Sequence, residues 1–280
     1  MATSGVTLTS GMRSSVHALQ QTQDWMEVTQ TRLSTGKRVN TALDDPINFF
    51  AAQGHTQRAN DLDFRKDGMG EGIQTIKAAD QGISAVQDLI SAAKALAQSA
   101  LSGETTTEIN ALETQYNSLL DQIDDLAGDS GYKGTNLLGG ASQTLNVKFD
   151  ETGTSSITVT GFDASASGLS INDVTANDWV ATGGSGDVTV INTDIGELDA
   201  AMTTLRSKSK ALGSQLSTIT IREDFTTNMI NTLLDGAANL TNADLNEEGA
   251  NMLMLQTRQA LGTTSLSLAS QAAQAVLRLF

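Results

Sequence analysis

The sequence predicts a mainly α-helical fold with a small β-hairpin region, arranged as an elongated antiparallel helical bundle with paired N- and C-terminal coiled-coil helices. Three observations support this fold class. Apolar residues recur at alternating spacings of three and four near both ends and through much of the interior, which is typical of helices that pack along their length. Two short runs near the middle alternate apolar and polar residues, as strands do. One proline in 280 residues suits long helices.

The first helix is predicted from an apolar seam that alternates spacings of four and three. The seam consists of Met12, Val16, Leu19, Gln23, Met26, Gln30 and Leu33. Its two glutamines would weaken an isolated coiled coil, but in a crowded assembly they can hydrogen-bond neighbours and fix the register. We expect the helix to stop at residues 34–36, because Gly36 can adopt the left-handed conformation of a helix C-cap.

A polar connector leads into the second helix. Its characteristic residues are Ser34, Thr35, Gly36, Lys37, Arg38, Asp44, Asp45 and Pro46. Asp45 as the N-cap and Pro46 at the first helical position make a strong helix start. Glycines at 68, 70 and 72 predict an interruption. A heptad run then follows, apolar at all eight positions: Ile76, Ala79, Ile83, Val86, Ile90, Ala93, Ala97 and Ala100.

The next elements are a third helix and a hairpin. Thr105 and Glu108 form a capping box that starts a helix expected to reach Gly128. The alternation in residues 145–149 and 157–159, separated by the turn-rich residues 150–153, predicts a β-hairpin.

The chain then passes through a small polar excursion into another long helix. Residues 163–190 are rich in Ser, Gly, Asp and Thr, so we expect an exposed, weakly packed segment, with a short strand candidate at 188–191. A helix follows, with a heptad-like run at Ile195, Leu198, Met202, Leu205, Leu212, Leu216, Ile219, Ile230 and Leu233. Together these elements predict an antiparallel inner bundle.

The C-terminal helix carries an apolar seam that reaches the last residue of the sequence. The seam positions are Leu255, Leu266, Ala269, Ala273, Val276 and Phe280. Free termini usually fray and turn polar. This seam is therefore expected to be buried by the other end of the chain or by other copies of it.

These patterns divide the chain into five parts. Residues 1–45 form an N-terminal helix and connector, and residues 46–172 form the first part of the inner bundle with its hairpin. Residues 173–190 are a short exposed insertion, 191–238 complete the inner bundle, and 239–280 form the C-terminal helix.

Charge and composition exclude several classes of function. The net charge of −15 argues against a nucleic-acid partner. Residues 104–205 hold sixteen acidic and two basic residues, whereas both ends are nearly neutral. We therefore expect the ends to pack closely and the acidic middle to face water. No run approaches eighteen apolar residues, so no membrane span is expected, and no cleaved signal peptide is evident.

Residues that could support catalysis or metal binding are sparse. The two histidines, His17 and His55, lie on separate predicted helices, and the chain has no cysteine to complete a metal site. No phosphate-binding loop, nucleophile elbow or zinc-protease helix is present. We therefore expect no enzyme activity and no cofactor.

The arrangement resembles bacterial flagellin, specifically a short flagellin with a reduced outer domain. Residues 32–45 resemble the connector of that family, and residues 131–138 resemble the turn before its hairpin. Residues 242–252, 259–262 and 275–280 resemble its C-terminal helix. These five blocks occur in family order, and the resemblance covers residues 1 to about 172 and 191 to 280.

The resemblance implies a structural subunit that self-assembles into the helical flagellar filament for swimming motility. It implies export through the flagellum's own channel, an extracellular filament, and pairing of the terminal helices along the filament core. It also implies partners: other copies of the chain, hook-associated proteins, the cap, the export apparatus and a flagellin chaperone.

Two alternatives stay open at this point. A hook–filament junction protein shares this architecture and often carries the motif seen at residues 34–38 followed by 44–46. A secreted adhesin or enzyme could also be carried on flagellin ends, but it would need a larger variable domain than residues 173–190 provide.

Overall fold

The computed structural model describes residues 10–277, with side chains through residue 275. Within that range the chain forms α1 (Ser10–Thr35), α2 (Pro46–Ala100), α3 (Thr106–Asp129), β1 (Thr144–Lys148), β2 (Ser156–Thr160), α4 (Val188–Thr241) and α5 (Leu245–Leu277). The mainly helical fold with a small antiparallel hairpin is confirmed. The chain divides into a central unit, Arg58–Asn231, and a terminal unit built from the chain up to Gln57 and from Thr232 onward.

The core of the central unit is formed by α2, α3 and α4 together with the hairpin. All eight positions of the predicted heptad run on α2 are buried, and the predicted apolar positions on α4 are buried or half-buried. Lys94 on α2 pairs with Asp199 on α4 at 2.5 Å, and Ser209 Oγ donates to Asp80 Oδ1 at 2.7 Å. These contacts set α2 and α4 antiparallel, as the sequence predicts.

The predicted interruption at residues 68–72 is wrong, because α2 continues through these glycines without a break. Gly72 faces the hairpin instead. A Cβ added at Gly72 would lie 2.7 Å from Val147 Cγ2. The glycine therefore lets strand β1 approach the helix, and the cost of glycine within a helix is offset by this close packing.

The start of α3 and the hairpin follow the sequence prediction. Thr105 is the N-cap of α3 and accepts from the amide of Glu108. Strands β1 and β2 pair antiparallel, with Leu145 opposite Val159 and Val147 opposite Ile157. The side chains of Val147 and Val159 are buried and pack on the core of the central unit.

Residues 163–190 are not the exposed, weakly packed segment that their composition suggests. The segment buries a row of apolar side chains, among which Trp179 is fully buried. Its ring packs edge-on against Tyr116 of α3, with 5.0 Å between the two ring centroids. The other buried members are Ala164, Ala166, Leu169, Ile171 and Val174. The composition wrongly predicts an exposed segment because the few large apolar residues are spread between many small polar ones.

Acidic side chains of α3 and α4 hold this segment through its backbone. Glu113, which is 3% exposed, accepts from the amides of Asn177 and Trp179 at 3.0 and 2.7 Å. Glu197 binds the amide and side chain of Asn172, and Asp194 accepts from the Trp179 indole at 2.6 Å. The expectation that the acidic middle simply faces water is therefore wrong for these residues.

The strand candidate at residues 188–191 is also wrong. These residues form the first turn of α4, and Asp187 caps that turn by accepting from the amides of Thr189 and Val190. An aspartate before a β-branched run fits a helix N-cap as well as a strand boundary, and the long apolar run that follows decides for helix.

Candidate self-assembly surface

Helices α1 and α5 pack against each other in the terminal unit, antiparallel and in one register. Arg32 Nη1 contacts Glu248 Oε1 at 2.9 Å. Further along the pair, the Gln259 side chain donates to Gln23 Oε1 at 2.9 Å. Gly262 lies against Leu19, since a Cβ added there would be 2.6 Å from Leu19 Cδ2. The absence of a side chain at Gly262 thus allows the two helices to come close.

The predicted seam residues of α1 lie on the side that packs in the terminal unit. Met12 is buried, and the other four are half-buried: Val16, Leu19, Met26 and Leu33. On α5, Leu255 is buried, and Leu266 and Ala273 are half-buried, whereas Ala269 is exposed. The side chain of Val276 and residue Phe280 lie outside the described residues.

Two positions of the predicted α1 seam are not buried in the structure. Gln23 and Gln30 are exposed, and the neighbouring Thr22 and Thr29 are buried in their place. Thr22 satisfies its own hydroxyl by donating to the Ala18 carbonyl at 2.8 Å. Thr22 is thus buried without an unpaired hydroxyl, while the exposed Gln23 still reaches α5 by accepting from the Gln259 side chain.

The connector begins where α1 ends. Gly36 has φ +69°, as the predicted left-handed cap requires, and its amide donates to the Arg32 carbonyl at 2.8 Å. Asp45 caps α2 by accepting from the Asn48 amide at 3.1 Å, and Pro46 is the first helical residue. Both sequence-based assignments of local structure are confirmed.

The connector is held by the junction between α4 and α5, a partner that sequence reasoning missed. Lys37 forms an antiparallel bridge with Asn242. The amides of Arg38 and Val39 both donate to the Thr241 carbonyl, at 2.7 and 3.1 Å. The only sequence indication of this junction is the N-cap Asp244, which accepts from the Asn246 amide at 2.8 Å.

Two carboxylates fix the turn of the connector. Asp44 Oδ2 accepts from the amides of Asn40 and Thr41 at 3.0 and 2.9 Å. The hydrogen bond from the Thr41 amide is the main cause that lowers the pKa of Asp44 below its ordinary value. The Asn48 amide has the same effect on the pKa of Asp45.

These carboxyl groups provide a pH test of the connector. Because both folded-state pKa values are depressed, their stabilising effect is complete above the ordinary aspartate pKa and is lost as the pH falls through the lowered values. Carbon-detected NMR titration should show both groups with midpoints below 3.8. Midpoints at or above that value would contradict the connector geometry.

A second apolar surface lies on α5, outside the predicted seam. Met254, Leu261 and Leu268 are 57%, 65% and 62% exposed and lie seven residues apart. We call these three residues the outer stripe. Seven residues make nearly two helical turns, so the three side chains line one face over roughly 21 Å. Leu253 adds to the same exposed region.

More exposed apolar side chains lie in the terminal unit. Trp25 is half-exposed, with the guanidinium of Arg258 5.7 Å from its ring centroid. Leu43 in the connector is 96% exposed, and Ile47 and Phe50 at the start of α2 are exposed as well. Large apolar side chains that are this exposed are candidates for contact with a partner.

The described residues hold no cluster of three or more His, Cys, Asp or Glu placed to bind a metal ion. None of the described helices is long and apolar enough to cross a membrane.

Comparison with known proteins identifies the family. Residues 8–143 match the bacterial flagellin N-terminal helical region, and residues 195–280 match the bacterial flagellin C-terminal helical region. Flagellin FljN of Caulobacter vibrioides is 30% identical, and flagellin of Brucella melitensis is 27% identical. The alignments cover 100% and 97% of both chains, respectively.

Among solved structures, Bacillus cereus flagellin aligns with a TM-score of 0.48 and 18% identity, covering 57% of this chain and 88% of that chain. Nothing in the comparisons favours the junction-protein or adhesin alternatives. The matched regions span most of the sequence and the relatives match along their whole length. The chain therefore belongs to the bacterial flagellin family, as a short flagellin, and is a structural subunit of the flagellar filament.

Proposed function

We propose that the chain polymerises through α5, which carries two separate apolar surfaces. The seam at Leu255, Leu266 and Ala273 faces α1 within one protomer, and the outer stripe contacts another copy. The observation that carries the proposal is the pairing itself: α5 already has one face against α1, yet its opposite side is also apolar and exposed. A helix that is apolar on both sides is stable only when both sides are covered.

The connector supplies a further contact between copies in this proposal. Leu43 in the connector and Ile47 and Phe50 at the start of α2 expose large apolar side chains, next to a turn that Asp44 and Asp45 fix by hydrogen bonds. A fixed turn loses little conformational entropy when it docks, so its apolar side chains contribute more of their burial energy to binding. Together with the outer stripe, the connector gives each copy two contact regions in the terminal unit.

The contact between copies is proposed to be heterologous, with different patches meeting. Repetition of such a contact by rotation and translation produces an open helical polymer. Residues 1–45 and 239–280 are then the filament core, residues 46–172 and 191–238 form the inner bundle, and residues 173–190 pack on that bundle through Trp179. The small size of residues 173–190 favours a thin, smooth filament.

Membership of the family supports the remaining parts of the proposal. The chain is exported by the flagellar export apparatus with the help of a flagellin chaperone. It is added beneath the cap, joins the hook-associated proteins at the filament base, and works outside the cell.

Removing residues 266–280 tests the role of the C-terminal seam. We expect a monomer with near-native helix content from the central unit and no filaments, because the central core contains none of the deleted residues. Circular dichroism and negative-stain microscopy after seeding with wild-type fragments give the two readouts. Filaments at ordinary yield from the truncated chain would overturn the proposed role of this end in assembly.

A further inference from the structure

The last turns of α3 carry acidic residues that do not stabilise the protomer. Asp121, Asp125 and Asp129 are exposed and four residues apart, so they share one helix face. Like charges at this spacing repel, and negative charge at a helix C-terminus opposes the helix dipole. In the described part of the chain, none of the three carboxylates makes a hydrogen bond or ion pair. Asp124, by contrast, accepts from the amide of Ala166 at 2.7 Å.

A matching basic pair lies on α4. Arg206 and Lys210 are exposed, also four residues apart, and neither side chain has an ion-pair or hydrogen-bond partner among residues 10–275. The nearby Lys208 differs, because its ammonium lies 5.1 Å from the ring centroid of Phe162. The basic pair, like the acidic face, is unfavourable within an isolated protomer.

The two charged faces lie at the same height along the central unit. Ser209, next to Lys210, is hydrogen-bonded to Asp80 of α2. Ser130, next to Asp129, packs against Gly82 of α2. Asp80 and Gly82 are two residues apart, which is about 3 Å along a helix axis.

The next charge on each helix also matches. Helices α3 and α4 both run antiparallel to α2, because Ile109 packs at Gly103 and Asp199 pairs with Lys94. Moving one turn toward the N-terminus of each helix therefore shifts both charges in the same direction. Asp125 and Arg206 are level with each other one turn beyond Asp129 and Lys210.

We propose that these faces form a lateral electrostatic contact between two copies of the chain, with Asp125 and Asp129 of one copy against Arg206 and Lys210 of the next. The inference rests on the proposed polymerisation and names a contact for it within the central unit. The partner is a second copy of the chain because the two faces carry opposite charges, with the same spacing and at the same height along the central unit. In the monomer, each face is destabilised by repulsion between its own like charges. In the polymer, the opposite charges of the neighbouring copy offset this repulsion.

Charge reversal tests the contact. The variants are Asp125→Lys with Asp129→Lys, and Arg206→Glu with Lys210→Glu, each compared with the wild type in seeded elongation followed by light scattering. Either variant alone brings like charges together at every lateral contact, so we expect elongation to slow about tenfold. An equimolar mixture of the two variants can alternate opposite charges and should recover at least half of the wild-type rate.

A matched control separates a local contact from a general effect of charge. Glu104→Lys with Asp173→Lys makes the same change in net charge as Asp125→Lys with Asp129→Lys, but at other exposed positions, and it should elongate at the wild-type rate. Thermal unfolding of each monomer checks the fold. The Asp125→Lys, Asp129→Lys monomer should be at least as stable as the wild type, because positive charge is favourable at the C-terminal end of α3 and Asp121 lies four residues before the new lysine at position 125.

The outcomes distinguish this contact from the broader proposal. If the wild type elongates and both reversal variants elongate at its rate, or if their mixture shows no recovery, the lateral contact is wrong while polymerisation stands. If the wild type itself fails to elongate on seeds, the proposed assembly fails first.

Discussion

Glutamate at Met254 and Leu261 is expected to abolish polymerisation while leaving the monomer folded. Both side chains are mostly exposed in the protomer, so the substitutions disturb little of its packing. In the polymer each would bury an unpaired carboxylate and lose roughly 1.5–3 kcal/mol of apolar burial. Two such losses at one contact correspond to a decrease of at least about a hundredfold in affinity.

The control for this double variant is Gln256→Glu with Thr263→Glu. These positions are exposed on α5 but lie off the outer stripe, and the change in charge is comparable. We expect the control to form filaments in the seeded assay. Unchanged filament yield from the Met254 and Leu261 variant would show that the outer stripe is not a contact between copies.

Loss of the Trp179 side chain is expected to give the largest change in stability. Trp179→Ala removes a fully buried ring that stacks on Tyr116, and it should lower the free energy of unfolding of the central unit by about 3–5 kcal/mol. Calorimetry measures this loss, and limited proteolysis should show new cleavage within residues 163–190.

Two further substitutions sharpen the Trp179 experiment. Trp179→Phe keeps an aromatic ring but loses the indole donor to Asp194, so we expect an intermediate loss. Trp25→Ala removes the other tryptophan, which is half-exposed in the terminal unit, and should leave the unfolding of the central unit nearly unchanged. Equal effects of Trp179→Ala and Trp25→Ala would contradict the packing of residues 163–190 on α3 and α4.

Periodicity was enough to predict the long helices because each buries a continuous stripe. The eight-position run on α2 is buried at every position, and local capping residues such as Thr105 and Asp45 mark helix starts correctly. These features depend on neighbours within a few residues in sequence. The same holds for the hairpin, whose strands are separated by a short turn.

The errors arise where distant residues decide the structure. Gly72 lies where strand β1 packs closely on α2, and nothing within its own helix indicates that contact. Trp179 is buried because Glu113 binds its backbone amide from 66 residues away. Sequence patterns report local preferences, so a polar segment held by remote carboxylates looks exposed.

The outer stripe could have been found from the sequence. Met254, Leu261 and Leu268 repeat at a strict heptad spacing, but a second seam on the same helix places apolar residues at nearly every turn. In the sequence, the apolar residues of one seam therefore obscure the heptad repeat of the other. The pairing of α1 with α5 separates the two surfaces by covering one of them.

The central claim is that this chain alone suffices to extend a filament through its terminal unit. The most direct measurement is seeded polymerisation of the purified full chain, followed by negative-stain electron microscopy beside the Met254→Glu, Leu261→Glu variant. We expect long, thin, smooth filaments growing from the seeds with the wild type, and seeds of unchanged length with the variant. A wild-type chain that stays monomeric on fresh seeds, or a variant that extends them equally well, would contradict the claim.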